Sequence, residues 1–436
     1  MNTIVSKLLF PFHESLKGHS TIQMLKELER SQWLKREEIT RLQKERLAVF
    51  IKSVKEDVPY YKSLFNGKGA LEDIPFQTKK AIRENTERLR SVRAGRLKRS
   101  NTGGSTGEPL IFYLGKRRIS ADIAAKVRAT RWWGVDIGDR EVVIWGSPVE
   151  LTKQDRIRQV RDSLFRTRLL SAFDMNDETM GRYAEYIRKF RPLHVFGYPS
   201  SIYLLCRYAR KKGVRLDDLG VKVVFCTAER LYDHQRDFIS ETFSAPVANG
   251  YGGRDAGFIA HECPEGRMHL TDENIIVEIA DPAGNILKPG ESGEIVVTQL
   301  ESGDYPFLRY RTGDIGVVSD ESCPCGRNLG VLKSVEGRST DFIVAPDGRI
   351  MHGLALIYVV RDTEGVEGFK ILQEDRDSIK IFLSVNQAFT EKSEERIRTD
   401  FTKRLGGDVK LEFVYKDRVQ PEKSGKFRYV ESKVKI

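Results

Sequence analysis

The sequence predicts an α/β protein: a large N-terminal domain of α/β layers with a β-rich part, then a small C-terminal α+β domain. Three observations carry this. Between about Pro109 and Phe243, short apolar runs alternate with helical patterns, as parallel-sheet α/β layers require. After about Thr271 the strand pattern dominates. From Asp341 a unit of roughly a hundred residues has its own helices and strands, the size of a small domain.

The elements follow in order. Residues 22–56 read as one long helix, with Leu25, Leu28, Leu42, Leu47 and Phe50 at helical spacing among charges, and Pro59 ends it. Leu110–Leu114 reads as a strand and Ser120–Trp133 as a helix. Glu141–Trp145, Leu193–Phe196 and Val221–Phe225 are strands. Asp177–Phe190, Ser200–Lys212 and Asp233–Phe243 are helices, the first two closed by Pro192 and Gly213. Asn274–Ala280 and Gly293–Leu300 are strands joined across Asp281-Pro282-Ala283-Gly284-Asn285. In the last unit, Phe342–Ala345 and Arg349–Met351 flank a Pro-Asp-Gly turn. A helix covers Leu354–Arg361, two strands surround Asp375–Asp377, a charged helix covers Glu391–Leu405, and Val409–Tyr415 is the last strand. The expected domains are 1–337 (1–99 helical, 100–270 α/β core, 271–337 β-rich) and 338–436.

Composition narrows the function classes. The 436 residues carry 73 Lys+Arg against 62 Asp+Glu, a net charge of +11, and mean hydropathy is −0.42. No apolar window is long enough to span a bilayer. The 22 Phe, 15 Tyr and 4 Trp are too many aromatics for a disordered chain. The basic surplus suits a solvated surface or anionic partners. Five cysteines, an odd and sparse set, do not form a disulfide framework. The Leu8-Leu9-Phe10 run, broken by Pro11, is too short for a secretory signal. The chain is expected to be cytoplasmic.

The most informative segment is Ser100-Asn101-Thr102-Gly103-Gly104-Ser105-Thr106-Gly107-Glu108-Pro109. Glycines let a backbone approach an anion, and freed N–H groups with hydroxyls can cradle a phosphate. A Gly/Ser/Thr loop alone is more often a plain connection. The basic flank Arg93, Arg96, Lys98 and Arg99 attracts an anion without naming it.

Thr102–Pro109 resembles the phosphate-loop motif of the adenylate-forming superfamily of acyl- and aryl-CoA synthetases, luciferases and peptide-synthetase adenylation domains. Other motifs follow in that family's order. Thr227-Ala228-Glu229 resembles the adenine-wall segment, and Tyr251-Gly252-Gly253-Arg254-Asp255 the Tyr-Gly-x-Thr-Glu segment. Tyr310-Arg311-Thr312-Gly313-Asp314 matches its family counterpart outright. Gly337-Arg338-Ser339-Thr340-Asp341 resembles the hinge, and Ser424-Gly425-Lys426-Phe427-Arg428 the C-terminal lysine motif. Val58-Pro59-Tyr60-Tyr61 and Ile74-Pro75-Phe76-Gln77-Thr78-Lys79 resemble the phenylacetate-CoA ligase branch. Arg254 and Tyr198-Pro199-Ser200-Ser201 look closer to its capsular-polysaccharide-biosynthesis subgroup.

The resemblance implies an AMP-forming ligase with a small lid domain. It would join a carboxylic acid to ATP, release pyrophosphate, and pass the acyl group on. The acceptor is open: coenzyme A, a phosphopantetheine on an acyl or peptidyl carrier protein, or an amine such as an amino sugar. The family's roles fall on Lys426 (carboxylate and α-phosphate), Thr102, Gly103, Gly104, Ser105, Thr106 and Gly107 (β- and γ-phosphates), Ala228, Glu229, Tyr251 and Gly252 (adenine), Asp314 (ribose) and Arg338 (ribose or phosphate). Arg254 and Asp255 complete the catalytic set, Asp255 as the magnesium ligand in place of the family's Glu. Arg254 replaces a Thr or Ser, and Thr340 replaces the first hinge Asp. Those departures leave open a catalytically silent nucleotide- or acyl-binding relative. No nucleic-acid motif is present. A homodimer is the assembly considered.

Cys263, His269, Cys323 and Cys325 offer three thiolates and one imidazole, a closed tetrahedral zinc set with a non-standard spacing. The plain alternative is inert thiols in a β-turn, and some phenylacetate-ligase relatives share such a site. His261 is the alternative fourth ligand. Cys206 and Cys226 read as packing residues.

Overall fold

In the computed structural model, all residues are described except 1, 66–69, 103–109, 146–154, 173–174, 339–341, 349, 407–408, 421–427 and 435–436. The side chains of 2, 155–159, 338, 342, 350–352 and 354–355 are also left out. The chain divides into two compact units, one chiefly Met1–Thr312 with Gly316–Val335, the other chiefly Glu336–Glu422 with Gly313–Ile315 and Lys426–Ile436.

In the larger unit the helices are α1 (Asn2–Ile4), α2 (Phe10–Leu16), α3 (Thr21–Ser31), α4 (Arg36–Asp57), α5 (Pro59–Leu64), α6 (Lys79–Glu84), α7 (Lys116–Arg131), α8 (Asp155–Leu164), α9 (Asp177–Phe190), α10 (Pro199–Lys211) and α11 (Asp233–Phe243). A hairpin pairs β1 (Lys98–Asn101) with β2 (Ile111–Leu114). The other strands are β3 (Glu141–Trp145), β4 (Thr167–Ser171), β5 (His194–Gly197), β6 (Val223–Thr227), β7 (Val247–Gly253), β8 (Gly257–Glu262), β9 (Met268–Leu270), β10 (Ile275–Ala280), β11 (Gly293–Gln299), β12 (Tyr310–Ser319) and β13 (Val331–Arg338), the last two with residues 313–315 and 336–338 in the other unit.

These eleven strands form one sheet, in the order β10-β11-β12-β13-β9-β8-β7-β6-β5-β3-β4. The run β4-β3-β5-β6-β7 is parallel, as helices alternating with apolar strands demand. The direction reverses at β7, which pairs antiparallel with β8, and β8 pairs antiparallel with β9. One core packs α9, α10 and α11 around Val142, Val195, Ile202, Val224 and Ile239. A second gathers Val54, Ile82, Phe112, Ile259, Ile295, Phe307 and Tyr310 at the β-rich end.

The single helix expected over 22–56 is two. The chain breaks at Gln32–Lys35, where Lys35 is extended (φ −65°, ψ 154°) and the Glu38 carboxylate accepts from its N–H at 2.9 Å. The interruption frees Trp33 for a tertiary contact described below. The smaller unit holds the hairpin β14 (Phe342–Val344)–β15 (Ile350–His352), helices α12 (Leu354–Arg361) and α13 (Glu391–Leu405), and a sheet in the order β18-β17-β16-β19. Its strands are β16 (Val366–Asp375), β17 (Ser378–Val385), β18 (Lys410–Tyr415) and β19 (Val430–Ser432). Ile371, Ile381, Leu383, Ile397 and Phe401 are its buried centre.

Candidate active site and metal centre

Strand β8 has a chemically distinct group at each end: the Arg254–Asp255 turn precedes it and Cys263 follows it. Six residues set the two about 20 Å apart.

At the first end, β7 finishes in Gly250-Tyr251-Gly252-Gly253, with a bulge between Tyr251 and Gly252. Gly252 is required by close approach, because a Cβ there would lie 2.3 Å from the Gly257 carbonyl oxygen. Tyr251 is half-buried against the β-rich core. Asp255 is held on three sides. Tyr310 donates its hydroxyl to Oδ2 at 2.7 Å, the Ala256 N–H donates to Oδ1 at 3.0 Å, and Arg118 Nη2 donates to the backbone oxygen at 3.1 Å. Each carboxylate oxygen keeps further acceptor capacity. Tyr310 opens β12, so two motifs 55 residues apart meet in one hydrogen bond.

Arg254 donates from Nη1 to the Asn101 carbonyl at 3.4 Å, at the root of the glycine loop. Thr102 closes that root: its N–H bonds to the Leu110 carbonyl, and its hydroxyl accepts from Leu110 N–H, both at 3.0 Å. Gly103, Gly104, Ser105, Thr106 and Gly107 lie outside the described residues, as do Lys426 and Thr340. Arg338 ends β13 and Asp314 lies on β12.

Beside β7, β6 ends at Thr227, whose hydroxyl donates to the Gly250 carbonyl at 2.8 Å. Ala228 takes φ 69°, a left-handed turn uncommon for a residue with a Cβ. Beyond the turn, the Glu229 carboxylate accepts from Ser200 N–H at 3.2 Å, at the electropositive start of α10. The side chain of Glu229 thus caps a helix, and the strand end Thr227–Ala228 lies beside the β7 glycines.

The sequence pattern missed Arg118 and Asp122 on α7. Arg118 is 1% exposed, pairs with Asp122 at 2.9 Å and supports the Asp255 turn. Asp122 Oδ1 also accepts from Phe258 N–H at 3.3 Å. Burial pushes the Asp122 carboxyl up, against the pull of Arg118. An Arg and an Asp four apart at a helix start is the signal that could have found them.

At the other end of β8, the ligand atoms of Cys263, His269, Cys323 and Cys325 lie within 4.8 Å of one another. Cys263 and Cys323 sulfurs are 3.6 Å apart, and His269 Nε2 is 3.2 Å from the Cys325 sulfur. A tetrahedral ion with sulfur bonds of about 2.3 Å places its ligands about 3.8 Å apart, so the set fits zinc. His269 Nδ1 faces the Leu329 carbonyl at 3.4 Å, which leaves Nε2 its lone pair. Burial pushes His269 down to about 4, favouring neutral imidazole. Burial raises Cys325, but hydrogen bonds from Arg327 and Cys323 and the Arg327 charge together draw the thiol below its ordinary value. His261 is the cross-strand partner of His269, yet its ring stacks on Phe258 at 4.3 Å, against Gly250. The geometry selects His269. Cys206 and Cys226 are fully buried in the α10 core, and burial pushes both thiols up.

The knuckle also joins the N-terminal helices. The Arg327 guanidinium sits 4.8 Å from both the Trp33 and Trp132 rings, and its Nε donates to Gln32 Oε1 at 3.2 Å. Trp132 meets His269 edge-on at 5.7 Å and donates to the same Gln32 oxygen at 2.8 Å.

Comparisons with known proteins agree with this architecture. Residues 164–301 match the AMP-binding enzyme family and 343–433 the CapK C-terminal domain. The chain is 25% identical to Protein CapK of Staphylococcus aureus over 407 residues, 90% of this chain and 89% of that one. It is 28% identical to phenylacetate-coenzyme A ligase of Thermus thermophilus over 337 residues, 71% and 73% of the two chains. Its fold matches 2-hydroxyisobutyryl-CoA ligase in the postadenylation state with R3-HIB-AMP, at a TM-score of 0.70 and 19% identity, covering 90% of this chain and 88% of that one. The same ligase with 2-HIB-AMP and CoA in an open conformation matches at 0.58 and 20% identity, over 88% and 90% of the two chains. The chain is thus similar to the adenylate-forming superfamily, to its phenylacetate-CoA ligase branch and, over most of its length, to the CapK-like subgroup within it.

Proposed function

We propose that this protein is an AMP-forming acid ligase that activates a carboxylic acid as its acyl-adenylate and transfers the acyl group to a thiol. The observation that carries the reading is the junction of Tyr310 with Asp255, beside an Arg254 that reaches the root of the glycine loop. It brings three segments of the family's adenylation motifs into one turn.

In the first step a carboxylate oxygen of the acid attacks the α-phosphorus of ATP, and pyrophosphate leaves. Two anions must approach, so preorganised cations and N–H donors supply the stabilisation. Lys426 bridges the carboxylate and the α-phosphate. Arg254 pairs with the α-phosphate, and residues 102–107 hold the β- and γ-phosphates. Tyr251 and the Ala228–Glu229 backbone flank adenine beside Gly252, while Asp314 accepts from the ribose hydroxyls and Arg338 assists at ribose or phosphate. Asp255, with acceptor capacity left on both oxygens, would hold magnesium, which supplies charge neutralisation on the phosphates. In the second step a thiolate attacks the acyl carbon and AMP leaves. The thiol is coenzyme A or a carrier phosphopantetheine; an amine acceptor would give an amide. Cys263, His269, Cys323 and Cys325 would hold a structural zinc that ties the β8–β9 end to the Cys323 knuckle. The work is placed in the cytoplasm.

The test is ATP–pyrophosphate exchange with a panel of aryl, fatty, hydroxy and amino acids. At least one acid should support exchange in the wild type and not in Lys426→Ala. Exchange by none of the acids, or undiminished exchange in Lys426→Ala, overturns the assignment.

A further inference from the structure

Two features of the sequence find no use in an adenylation site: the apolar run near the N-terminus and the basic cluster ahead of the glycine loop. Residues 2–16 form one helical run, α1, a π-helical turn over Val5–Leu9, then α2. The wide turn has a cause. Pro11 has no N–H for the Lys7 carbonyl, and the Phe10 N–H bonds instead to the Val5 carbonyl, five residues back.

One side of the run is anchored. Val5, Phe10 and Glu14 are buried. The Glu14 carboxylate accepts from the Thr21 hydroxyl at 2.5 Å and meets His13 and His19 at 3.1 and 3.0 Å. The other side is apolar and open. Ile4, Leu8, Phe12 and Leu16 recur every four residues, on one helix face, and are 54%, 64%, 64% and 73% exposed. Phe165 packs against Phe10 at 5.9 Å and His13 at 5.1 Å, setting the end of α8 alongside, and α8 adds exposed Val160 and Leu164. A contiguous exposed patch of this kind marks an interaction surface.

Its surroundings are cationic. Lys7 and Lys17 are exposed, and Glu14, buried and partnered, is the only carboxylate in residues 2–17. Lys17 feels Arg161 and Lys98, and Lys116 Nζ lies beside Gly18. Arg161 is paired with Asp162 at 2.5 Å. Two copies of this face would set cation against cation, so charge argues against self-association and for an anionic apolar partner.

We propose that this face is a peripheral docking surface for an anionic lipid bilayer. Leu8, Phe12 and Leu16 enter the acyl boundary, and Lys7, Lys17, Lys98 and Lys116 meet the headgroup phosphates. Fifteen helical residues are about 22 Å long, shorter than the roughly 30 Å hydrocarbon layer, so the run lies in the interface. Each cation near such a surface is worth roughly fivefold in partitioning, lost at high salt.

The experiment is sedimentation of the full-length protein with vesicles of phosphatidylcholine alone, or with one-third phosphatidylglycerol, at low and high salt. Expected is at least tenfold greater binding to the anionic vesicles, falling as salt rises. Leu8→Ser with Phe12→Ser should lower it more than tenfold, and Lys7→Glu with Lys17→Glu should abolish the preference for anionic lipid. Circular dichroism and the thermal midpoint of both variants should match wild type. Equal binding to both vesicle types, no binding, or wild-type binding by the serine variant overturns the proposal. So does a wild-type dimer in sedimentation velocity that the serine variant converts to monomer without vesicle binding, which would give the face to a second copy.

Discussion

The two ends of strand β8 solve opposite problems. Before it, Asp255 is held by single hydrogen bonds from Tyr310, Ala256 and Arg118, and its carboxylate retains acceptor sites. After it, Cys263 joins His269, Cys323 and Cys325 as four candidate ligands within 4.8 Å of one another, beside Arg327, whose guanidinium lies between two indoles. On the proposed roles, the Asp255 turn keeps acceptor capacity for what it would receive and release, whereas the Cys/His set would spend its ligands on holding structure. The difference teaches that one strand can serve both, provided the two ends fail independently.

That independence can be broken by experiment. Cys325→Ser removes one ligand from the closed end. It should release the zinc, seen as loss of about one metal per chain by elemental analysis, and cost roughly 4 kcal/mol or more in chemical unfolding. Protein that survives should keep exchange per folded molecule within about twofold. A wild type that is stable and metal-free ends the zinc reading. At the open end, Asp255→Asn keeps the shape and removes the charge. Exchange should fall by about 10²–10³-fold, the range typical of a lost electrostatic group, with zinc content unchanged. Retained exchange in Asp255→Asn would move the metal-binding role elsewhere. Tyr310→Phe removes the hydroxyl that donates to Asp255 and leaves the ring in place. A loss of about ten- to a hundredfold in kcat/KM is expected, the worth of one hydrogen bond to a charged group. An unchanged value would reduce the Tyr310 contact to packing.

Much of this was legible in the sequence, for identifiable reasons. Each element expected between 141 and 243 is present, with ends shifted by at most two residues, because each is apolar at its own period; α8 and β4 were not expected. The Cys/His set stood out because cysteine is rare here, five in 436 residues. The sequence names His269 as the fourth candidate ligand and keeps His261 as the alternative. The two face each other across β8 and β9; His269 Nε2 lies 3.2 Å from the Cys325 sulfur, whereas the His261 ring stacks on Phe258. The helix break at Gln32–Lys35 was hidden because the apolar spacing continues across it. Across the break Trp33 meets the Arg327 guanidinium, a partner some 290 residues away that local spacing cannot show. Likewise the Tyr310–Asp255 bond joins two motifs that spacing cannot relate. Arg118 was overlooked because the helix was expected from Ser120, whereas α7 begins at Lys116 and the fold buries Arg118 against the Asp255 turn.

The subtlest probe of the β8 comparison is Arg327→Ala. Arg327 does two things at the closed end: its guanidinium bridges Trp33 and Trp132, and it lowers the Cys325 thiol. Each exposed cation–π contact is worth about 0.5–1 kcal/mol. Loss of both should cost about 1 kcal/mol in unfolding after relaxation, with a shift in tryptophan emission as Trp33 gains solvent. If the ligand set is fixed by β8, β9 and the knuckle backbone, zinc stays at one per chain and exchange is untouched. Arg327→Lys should recover little, since lysine lacks both the planar fork and the bond to Gln32. Zinc loss in Arg327→Ala would mean that the N-terminal helices, through Trp33, help hold the metal. The closed end would then depend on the interruption between α3 and α4, not on the strand alone.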